Sequence, residues 1–155
     1  MSKDLEVNDQ VPHFQVLVGE DKLVSPEDFK GKKLVIYFYP KDNTPGCTTE
    51  TKEFVENYKN FQSENAEILG VSKDSLKSHK KFIDKLNIPF QLGSDPETKI
   101  CEKFGVWIEK SMYGRKYMGI DRSTFLIDEA GKIIKIWRKV SVKGHVEEVL
   151  KEVSK

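Results

Sequence analysis

The sequence predicts an α/β sandwich in which helices flank a mixed central β-sheet, and three observations support this prediction. Short apolar runs of strand length alternate with longer segments whose apolar residues recur at helical spacing. Two of the apolar runs flank a turn at residues 128–131, so antiparallel strands are expected beside parallel ones. The 155 residues contain no linker-like or repetitive segment, which predicts one domain over residues 1–155.

The first half of the chain is expected to supply the central strand. Residues 33–39 are apolar or aromatic after Lys33, which is typical of a strand buried on both faces. Ser25 followed by Pro26 marks a helix start, as an N-cap and a first helical residue. The elements predicted here are a hairpin of residues 14–18 and 22–24 around a turn at 19–21, a helix start at Ser25, a strand at 33–39 and a helix at 47–61. The apolar face of the last helix holds Phe54, Val55, Tyr58 and Phe61.

The second half continues the alternation and closes with a helix. Gly105 is expected to end a short helix, and Gly131 to provide a positive φ in the hairpin turn. The elements predicted here are a strand at 67–71, a helix at 74–87, a short helix at 95–105, strands at 123–127 and 132–137, and a helix at 144–153.

Charge and composition exclude several classes of function. Lys and Arg number 26 against 25 Asp and Glu, so the net charge of +1 gives no attraction to nucleic acid or to an anionic membrane. No apolar run approaches the roughly 18 residues of a membrane span, and no signal peptide is visible at the amino terminus. Two cysteines make no disulfide scaffold, so a cytoplasmic location is expected.

The sequence contains no recognisable metal or cofactor motif. His13, His79 and His145 lie far apart and at no metal-ligand spacing from a cysteine. There is no C-x-x-C pair and no glycine-rich phosphate-binding motif. We therefore expect neither a metal ion nor a cofactor.

Cys47 is the most informative single residue of the sequence. Thr44 is a suitable N-cap and Pro45 a suitable first helical residue, which places Cys47 in the first turn of a helix after a buried strand. Unpaired backbone N–H groups and the positive end of the helix dipole both favour a thiolate there. Gly46 leaves the sulfur uncrowded. A reactive cysteine is therefore favoured over a small buried apolar residue.

The residues around Cys47 resemble those of a known enzyme family. Pro40, Thr44 and Cys47 have the P-x-x-x-T-x-x-C spacing of the peroxiredoxin active site, and residues 39–50 are similar to the bacterioferritin-comigratory, or peroxiredoxin Q, branch. Residues 104–107 also match that branch, and residues 119–128 are similar to the segment that holds the family's active-site arginine. The resemblance implies a thioredoxin-like fold and thiol-dependent reduction of hydroperoxides.

The resemblance also implies roles for individual residues. Cys47 would attack the peroxide, Arg122 and the amides of Gly46 and Cys47 would stabilise negative charge, and Thr44 would orient the substrate. Pro40 would shield the sulfur from water, and Glu50 would belong to the surrounding hydrogen-bond network. From the residues alone, Arg122 is equally well a charge at a strand edge, and Thr44 only an N-cap.

The positions at which relatives carry a resolving cysteine hold other residues in this chain. Many members of the branch have that cysteine five positions after the peroxidatic one and others thirty-six positions after it, but here these positions are Lys52 and Ile83. Cys101 falls on a predicted buried stripe, which favours a core residue over a resolving thiol. A one-Cys enzyme is therefore expected, recycled by thioredoxin, glutaredoxin or a small thiol, and monomeric by analogy with the branch.

Two other classes of protein are compatible with the same residues. A redox-sensing or chaperone-like protein would oxidise Cys47 once and signal to a partner without sustained turnover. A binding module with a thioredoxin fold would keep Cys47 as a structural residue. Sustained peroxide consumption distinguishes the enzyme from the sensor, and the pH dependence of thiol alkylation distinguishes it from the binding module.

Overall fold

The chain folds around a mixed β-sheet, and the computed structural model describes it over residues 5–20 and 22–155. Four α-helices lie in these residues: α1 (Pro45–Ser63), α2 (Leu76–Leu86), α3 (Lys99–Lys103) and α4 (His145–Val153). The strands of the described part are β1 (Val16–Gly19), β2 (Lys22–Val24), β3 (Lys33–Phe38), β4 (Ala66–Ser72), β5 (Gln91–Ser94), β6 (Trp107–Met112), β7 (Arg115–Ile120), β8 (Ser123–Ile127) and β9 (Ile133–Trp137).

Seven of these strands form the central sheet, in the order β2-β1-β5-β4-β3-β8-β9. Strand β3 lies in its interior, parallel to β4 on one side and antiparallel to β8 on the other. The predicted mixture of parallel and antiparallel pairing is therefore confirmed. Strands β6 and β7 form a separate antiparallel hairpin and, within the described ranges, pair only with each other.

Strand β3 is buried on both faces, as its continuous apolar sequence predicts. Leu34 and Ile36 belong to one cluster of buried side chains, and Val35 and Tyr37 belong to another, because successive side chains of a strand point to opposite faces. The second cluster also holds the buried residues of α1, α2 and α4, whereas the first holds those of α3. The sheet therefore separates two apolar layers.

The helices bury the faces that their sequence periodicity predicts. In α1, Phe54 and Phe61 are fully buried, while Val55 and Tyr58 are partly buried against the same cluster. The buried residues of α4 likewise lie on one face, which contains Val146 and its apolar neighbours one and two turns later. Among the described residues, no helix combines the length and apolar character needed to cross a membrane.

The amino-terminal elements follow the prediction with two adjustments. The predicted hairpin is the β1–β2 pair, but its turn includes Asp21, which lies outside the described residues. Residues 1–4, at the terminus where no signal peptide is expected, also lie outside them. The segment after Ser25 is a single 3₁₀ turn, Pro26–Phe29, instead of an α-helix. Its start is held by the amide of Ser25, which donates to the Asp28 carboxylate at 2.8 Å.

The sequence prediction missed three strands and misplaced one helix boundary. Strand β5 has four residues of mixed polarity and is stabilised by pairing with β4 and β1, which no local pattern reveals. The β6–β7 hairpin turns at Tyr113 and Gly114, which both have positive φ, and this turn signal was overlooked because the strands carry many polar side chains. The short helix predicted at 95–105 begins only at Lys99, since Thr98 adopts a left-handed conformation.

Candidate active site

The end of β3, the start of α1 and the start of β8 meet at one edge of the sheet. Phe38, the last residue of β3, pairs with Ser123, the first residue of β8, so Arg122 lies beside the segment that leads from β3 into α1. Cys47 is the third residue of α1, as predicted, and only 1% of its surface is exposed. The three elements thereby bring together residues that are distant in sequence.

Arg122 bridges Cys47 and Glu50. Its Nη2 atom donates to the Cys47 sulfur at 3.2 Å, and its Nη1 atom donates to Glu50 Oε1 at 2.7 Å. Glu50 follows Cys47 by three residues, so both side chains lie on the same side of α1. The predicted residues Cys47, Arg122 and Glu50 therefore form one connected cluster.

The two acids of this cluster share one cation in a buried setting. Glu50 is fully buried, and its Oε2 atom has no hydrogen-bond partner among the described residues. Burial raises the pKa of Glu50 to about 7, although the charge of Arg122 opposes this. Burial also lowers the pKa of Arg122, but the negative charges of Glu50 and Cys47 more than offset it, so that its pKa lies above the usual value. Arg122 thus stays cationic, while Glu50 is able to gain a proton near neutrality.

Thr44 occupies the N-cap position of α1 but does not cap the helix with its side chain. Its hydroxyl donates to the carbonyl oxygen of Lys41 at 2.8 Å, which closes the loop of residues 40–44. Its own carbonyl accepts from the amide of Thr48 at 2.8 Å, and this bond starts the helix. Pro40 is half-buried at the beginning of the same loop. Both residues therefore lie on the segment that leads to Cys47.

Gly46 leaves room for the arginine as well as for the sulfur. A Cβ atom at this position would lie 3.2 Å from Arg122 Nη2, which is a tight contact. The sequence indicated only that a glycine would leave the sulfur accessible. The structure adds that any larger residue would press on the guanidinium group.

Lys110 is a residue near the site that the sequence analysis missed. It belongs to β6, in the hairpin that was not predicted, and it is half-buried. Burial lowers the pKa of Lys110, while the charges of Asp121 and Cys47 act in the opposite direction. A second cation is thus close enough to Cys47 to interact with its charge. The overlooked turn at Tyr113 and Gly114 was the signal that could have revealed it.

Cys101 lies on the other side of the sheet from Cys47. It belongs to the cluster that contains Leu34 and Ile36, whereas Cys47 belongs to the cluster that contains Val35 and Tyr37. Both thiols are free and buried. Burial, together with the negative charge of Asp95, raises the pKa of Cys101 well above the usual value for a thiol. Cys101 is therefore a poor nucleophile and is not part of this site.

One group of side chains outside the cluster resembles a set of metal ligands. Asp42, Asp74 and His79 place ligand-type atoms within 4.8 Å of one another. However, Asp74 Oδ2 already accepts from the Ser72 hydroxyl at 2.6 Å and from the Asp42 amide at 2.8 Å. Protein hydrogen bonds therefore account for these carboxylates without a cation.

Comparisons with known proteins point to one family. The model of the AhpC/TSA family matches residues 7–136. The peroxiredoxin Bcp of Bacillus subtilis is 49% identical over 146 residues, which cover 94% of this chain and 93% of that protein. A cysteine-to-serine mutant of PrxQ from Xylella fastidiosa has a TM-score of 0.91 at 41% identity, covering 97% and 96% of the two chains.

A second similar structure carries information about substrates. It is a bacterioferritin comigratory protein of Xanthomonas campestris, described through its alkyl peroxide reduction activity in a trapped intermediate/ligand complex. Its TM-score is 0.86 at 43% identity, and the match covers 90% of this chain and 89% of that one. The predicted thioredoxin-like fold is confirmed by these matches.

Proposed function

Because this chain belongs to the AhpC/TSA family and is a peroxiredoxin, a thiol peroxidase, we propose that Cys47 is the sulfur that attacks the hydroperoxide. The observation that supports this assignment best is the contact of 3.2 Å between Arg122 Nη2 and the Cys47 sulfur. A guanidinium group at this distance is a charged hydrogen-bond donor for negative charge at the reacting sulfur. We further propose that residues 1–155 form one domain, since both apolar clusters lie against a single sheet.

In the proposed oxidation step, the Cys47 thiolate forms a bond to one oxygen of the peroxide. The O–O bond breaks, and its electron pair leaves with the other oxygen, which takes up a proton to become water or an alcohol. Cys47 is oxidised to a sulfenic acid in the same step. Chemistry of this kind requires an ionised sulfur and fixed donors for the departing oxygen.

The donors for that oxygen are proposed to be Arg122 and the first amides of α1. The amides of Gly46 and Cys47 lie in the first helical turn, where backbone N–H groups have no partner within the helix. Thr44 is proposed to orient the peroxide through its hydroxyl, and Pro40 to limit the access of water. Glu50 holds the guanidinium through its contact of 2.7 Å.

The proposed cycle closes with an external thiol, which makes the enzyme a one-Cys type. Two observations support this: Cys101 and Cys47 belong to apolar clusters on opposite faces of the sheet, and Lys52 and Ile83 stand where relatives carry a resolving cysteine. A thiol attacks the sulfenic sulfur and releases water, and a second thiol displaces Cys47 from the mixed disulfide. Thioredoxin, glutaredoxin or a small thiol fits this role, and the cytoplasm supplies all three.

The proposed substrates are hydrogen peroxide and organic hydroperoxides, which gives the protein a part in antioxidant defence. The alkyl peroxide activity ascribed to the similar Xanthomonas campestris protein supports the organic substrates. We propose that the protein acts as a monomer, by analogy with the peroxiredoxin Q branch.

Peroxide consumption with separate candidate reductants tests the proposal. The Cys47→Ser variant is expected to have no activity, because a serine hydroxyl is almost un-ionised at neutral pH. The matched control is Cys101→Ser, which is expected to retain activity with an external thiol. Turnover in Cys47→Ser would contradict the assignment of Cys47. Oxidation of wild-type Cys47 without sustained turnover under every reductant would favour a redox sensor.

A further inference from the structure

A buried contact between an acid and an imidazole ties the 40–44 loop to α2. Asp42, in this loop, is 6% exposed, and His79, in α2, is 1% exposed. His79 Nδ1 lies 2.7 Å from Asp42 Oδ2, and the Ser78 hydroxyl donates to the same oxygen at 2.8 Å. The Tyr39 hydroxyl donates to Asp42 Oδ1, and burial raises the pKa of Tyr39 well above the usual value, so this hydroxyl keeps its proton.

The second nitrogen of His79 fixes the number of protons in this contact. Nε2 lies 2.9 Å from the carbonyl oxygen of Gly93, which can only accept, so Nε2 carries a hydrogen. A neutral imidazole has no further N–H, and its bare Nδ1 would face the Asp42 carboxylate at 2.7 Å. Two acceptors do not form a hydrogen bond. The contact therefore holds one additional proton, either on Nδ1 or on the carboxyl group of Asp42.

Other groups around the pair do not supply this proton. Ser78 and Tyr39 donate to Asp42, but neither donates to Nδ1. Asp74 is the nearest further acid, and its Oδ2 atom accepts from the Asp42 amide. Charged groups that line the surface beside His79 are Glu20, Lys77 and Lys80. Those that line the surface beside Asp42 are Lys81 and Lys85.

We propose that the proton shared by Asp42 and His79 holds the 40–44 loop in the conformation that forms the mouth of the Cys47 site. Asp42 and His79 are then positioning residues for peroxide reduction. The functional part of the inference rests on the proposed role of Cys47. The proton count itself follows from the contacts of His79 and is independent of that role.

The other contacts of the loop explain why the effect is one of position and not of unfolding. Lys85 of α2 donates to the side chain of Asn43, and the amide of Asp42 donates to Asp74, and neither bond involves the shared proton. Loss of the proton brings a carboxylate and an imidazole lone pair into repulsion at one point of the loop. We expect this repulsion to shift Pro40 and Thr44, at the two ends of the loop that leads to Cys47.

Two substitutions of His79 separate its two hydrogen bonds. In His79→Asn, the amide nitrogen replaces Nδ1, so the variant keeps a donor toward Asp42 that does not titrate. In His79→Gln, the amide nitrogen replaces Nε2, so the variant keeps the donor toward Gly93 and loses the one toward Asp42. Ser78→Ala is the matched control, because it removes a neutral donor from the same oxygen of Asp42.

The kinetic experiment measures the rate constant of Cys47 oxidation by hydrogen peroxide at pH 6 in the wild type and the three variants. The wild-type rate constant is expected to exceed that of His79→Gln by about tenfold. His79→Asn is expected to keep the wild-type rate constant, because it keeps the donor toward Asp42, and Ser78→Ala is expected to show only a small loss. Equal rate constants in wild type and His79→Gln, or equal losses in His79→Gln and His79→Asn, overturn the positioning role.

The proton count is tested on the wild-type protein, whatever the stability of the variants. The ¹⁵N shifts of the His79 ring and the ¹³C shift of the Asp42 carboxyl group are followed by NMR, with His79→Gln used for assignment. The expected spectrum at pH 6 shows either a doubly protonated ring or a protonated carboxyl group. An unprotonated Nδ1 beside an ionised carboxylate overturns the inference. A wild-type protein that does not oxidise at Cys47 contradicts the proposed function alone and leaves this count standing.

Discussion

Arg122 contacts two acids through a single guanidinium group, and this shared contact couples their charges. A buried anion is costly unless it is paired, and Glu50 and Cys47 are both paired with the same cation. When Cys47 is a thiolate, protonation of Glu50 relieves the competition for Arg122. The pKa of Glu50, raised by burial to about 7, is suited to that exchange at neutral pH.

Removal of the cation is expected to slow the oxidation of Cys47. Arg122→Ala deprives the thiolate and the leaving oxygen of a charged donor, and we expect a rate constant roughly 10²–10³-fold lower. Stopped-flow mixing with hydrogen peroxide measures this step directly. Arg115→Ala, at an exposed position of the β6–β7 hairpin, is the matched control for loss of an arginine. Equal rate constants in wild type and Arg122→Ala would remove Arg122 from the catalytic site.

Glu50→Gln is expected to change how stability depends on pH. The pKa of Glu50 is raised from 4.5 to about 7 in the folded protein, so the folded state binds more protons than the unfolded state between these values. The contribution of Glu50 to the free energy of unfolding therefore falls as pH rises from 4.5 to 7 and is constant above 7.

Urea unfolding at several pH values between 4.5 and 8 measures this contribution. The free energy of unfolding of wild type minus that of Glu50→Gln should fall by on the order of 2–3 kcal/mol across the interval. Glu56→Gln, at an exposed position of the same helix, is the matched control. A difference that rises with pH would show that the Arg122 pair dominates over burial.

At the scale of elements, the site depends on where α1 begins and on what its first turn contacts. Thr44 starts the helix with its carbonyl group, and the glycine before Cys47 allows the arginine that precedes β8 to approach closely. The 40–44 loop is tied to α2, and the hairpin β6–β7 brings Lys110 toward the same site. Elements that are far apart in sequence therefore define the surroundings of the sulfur.

Gly46→Ala is expected to slow Cys47 oxidation without lowering the stability of the fold. Alanine is intrinsically a better helix former than glycine, by up to about 1 kcal/mol, so stability should not fall. The new Cβ atom would lie 3.2 Å from Arg122 Nη2 and would displace the guanidinium, so Cys47 oxidation should slow by about tenfold. Thermal unfolding and stopped-flow oxidation measure the two effects.

The double variant Gly46→Ala with Arg122→Ala provides the control for this mechanism. If the methyl group acts only through the arginine, it should have no further effect on oxidation once the arginine is absent. Additive losses in the double variant would show that Gly46 serves the sulfur or its amide instead.

At the scale of the whole molecule, the central sheet keeps the two thiols apart. Cys47 and Cys101 lie in different apolar layers, and a disulfide requires the two Cα atoms to approach within about 7 Å. Such an approach would require α1 or α3 to leave the sheet. The architecture therefore favours an external reductant over an internal one.

Oxidation by one equivalent of peroxide should leave Cys47 as a sulfenic acid that a selective reagent can trap. Mass spectrometry under non-reducing conditions is expected to show no peptide that links Cys47 to Cys101. Cys101→Ser should lose some stability, because it buries a hydroxyl group, but should keep its activity with an external thiol. A dominant Cys47–Cys101 peptide would overturn the one-Cys assignment.

The sequence by itself determined the central strand, the helices and the position of Cys47 in a first helical turn. These features depend on residues that are close together in the chain. The continuous apolar run of β3, the helical spacing of Phe54 and Phe61 and the Thr44–Pro45 start are local signals. The spacing of Pro40, Thr44 and Cys47 also identified the family, which the comparisons confirmed.

The tertiary structure alone decided which distant residues meet. Arg122 and Glu50 are 72 positions apart, and Asp42 and His79 are 37 apart, so no local pattern indicates either contact. Strand β5 and the β6–β7 hairpin were missed because their stability comes from pairing and not from a clear apolar alternation. The burial that raises the pKa of Glu50 is likewise a product of the whole fold, because it requires α1, β8 and the loops around them to exclude water together.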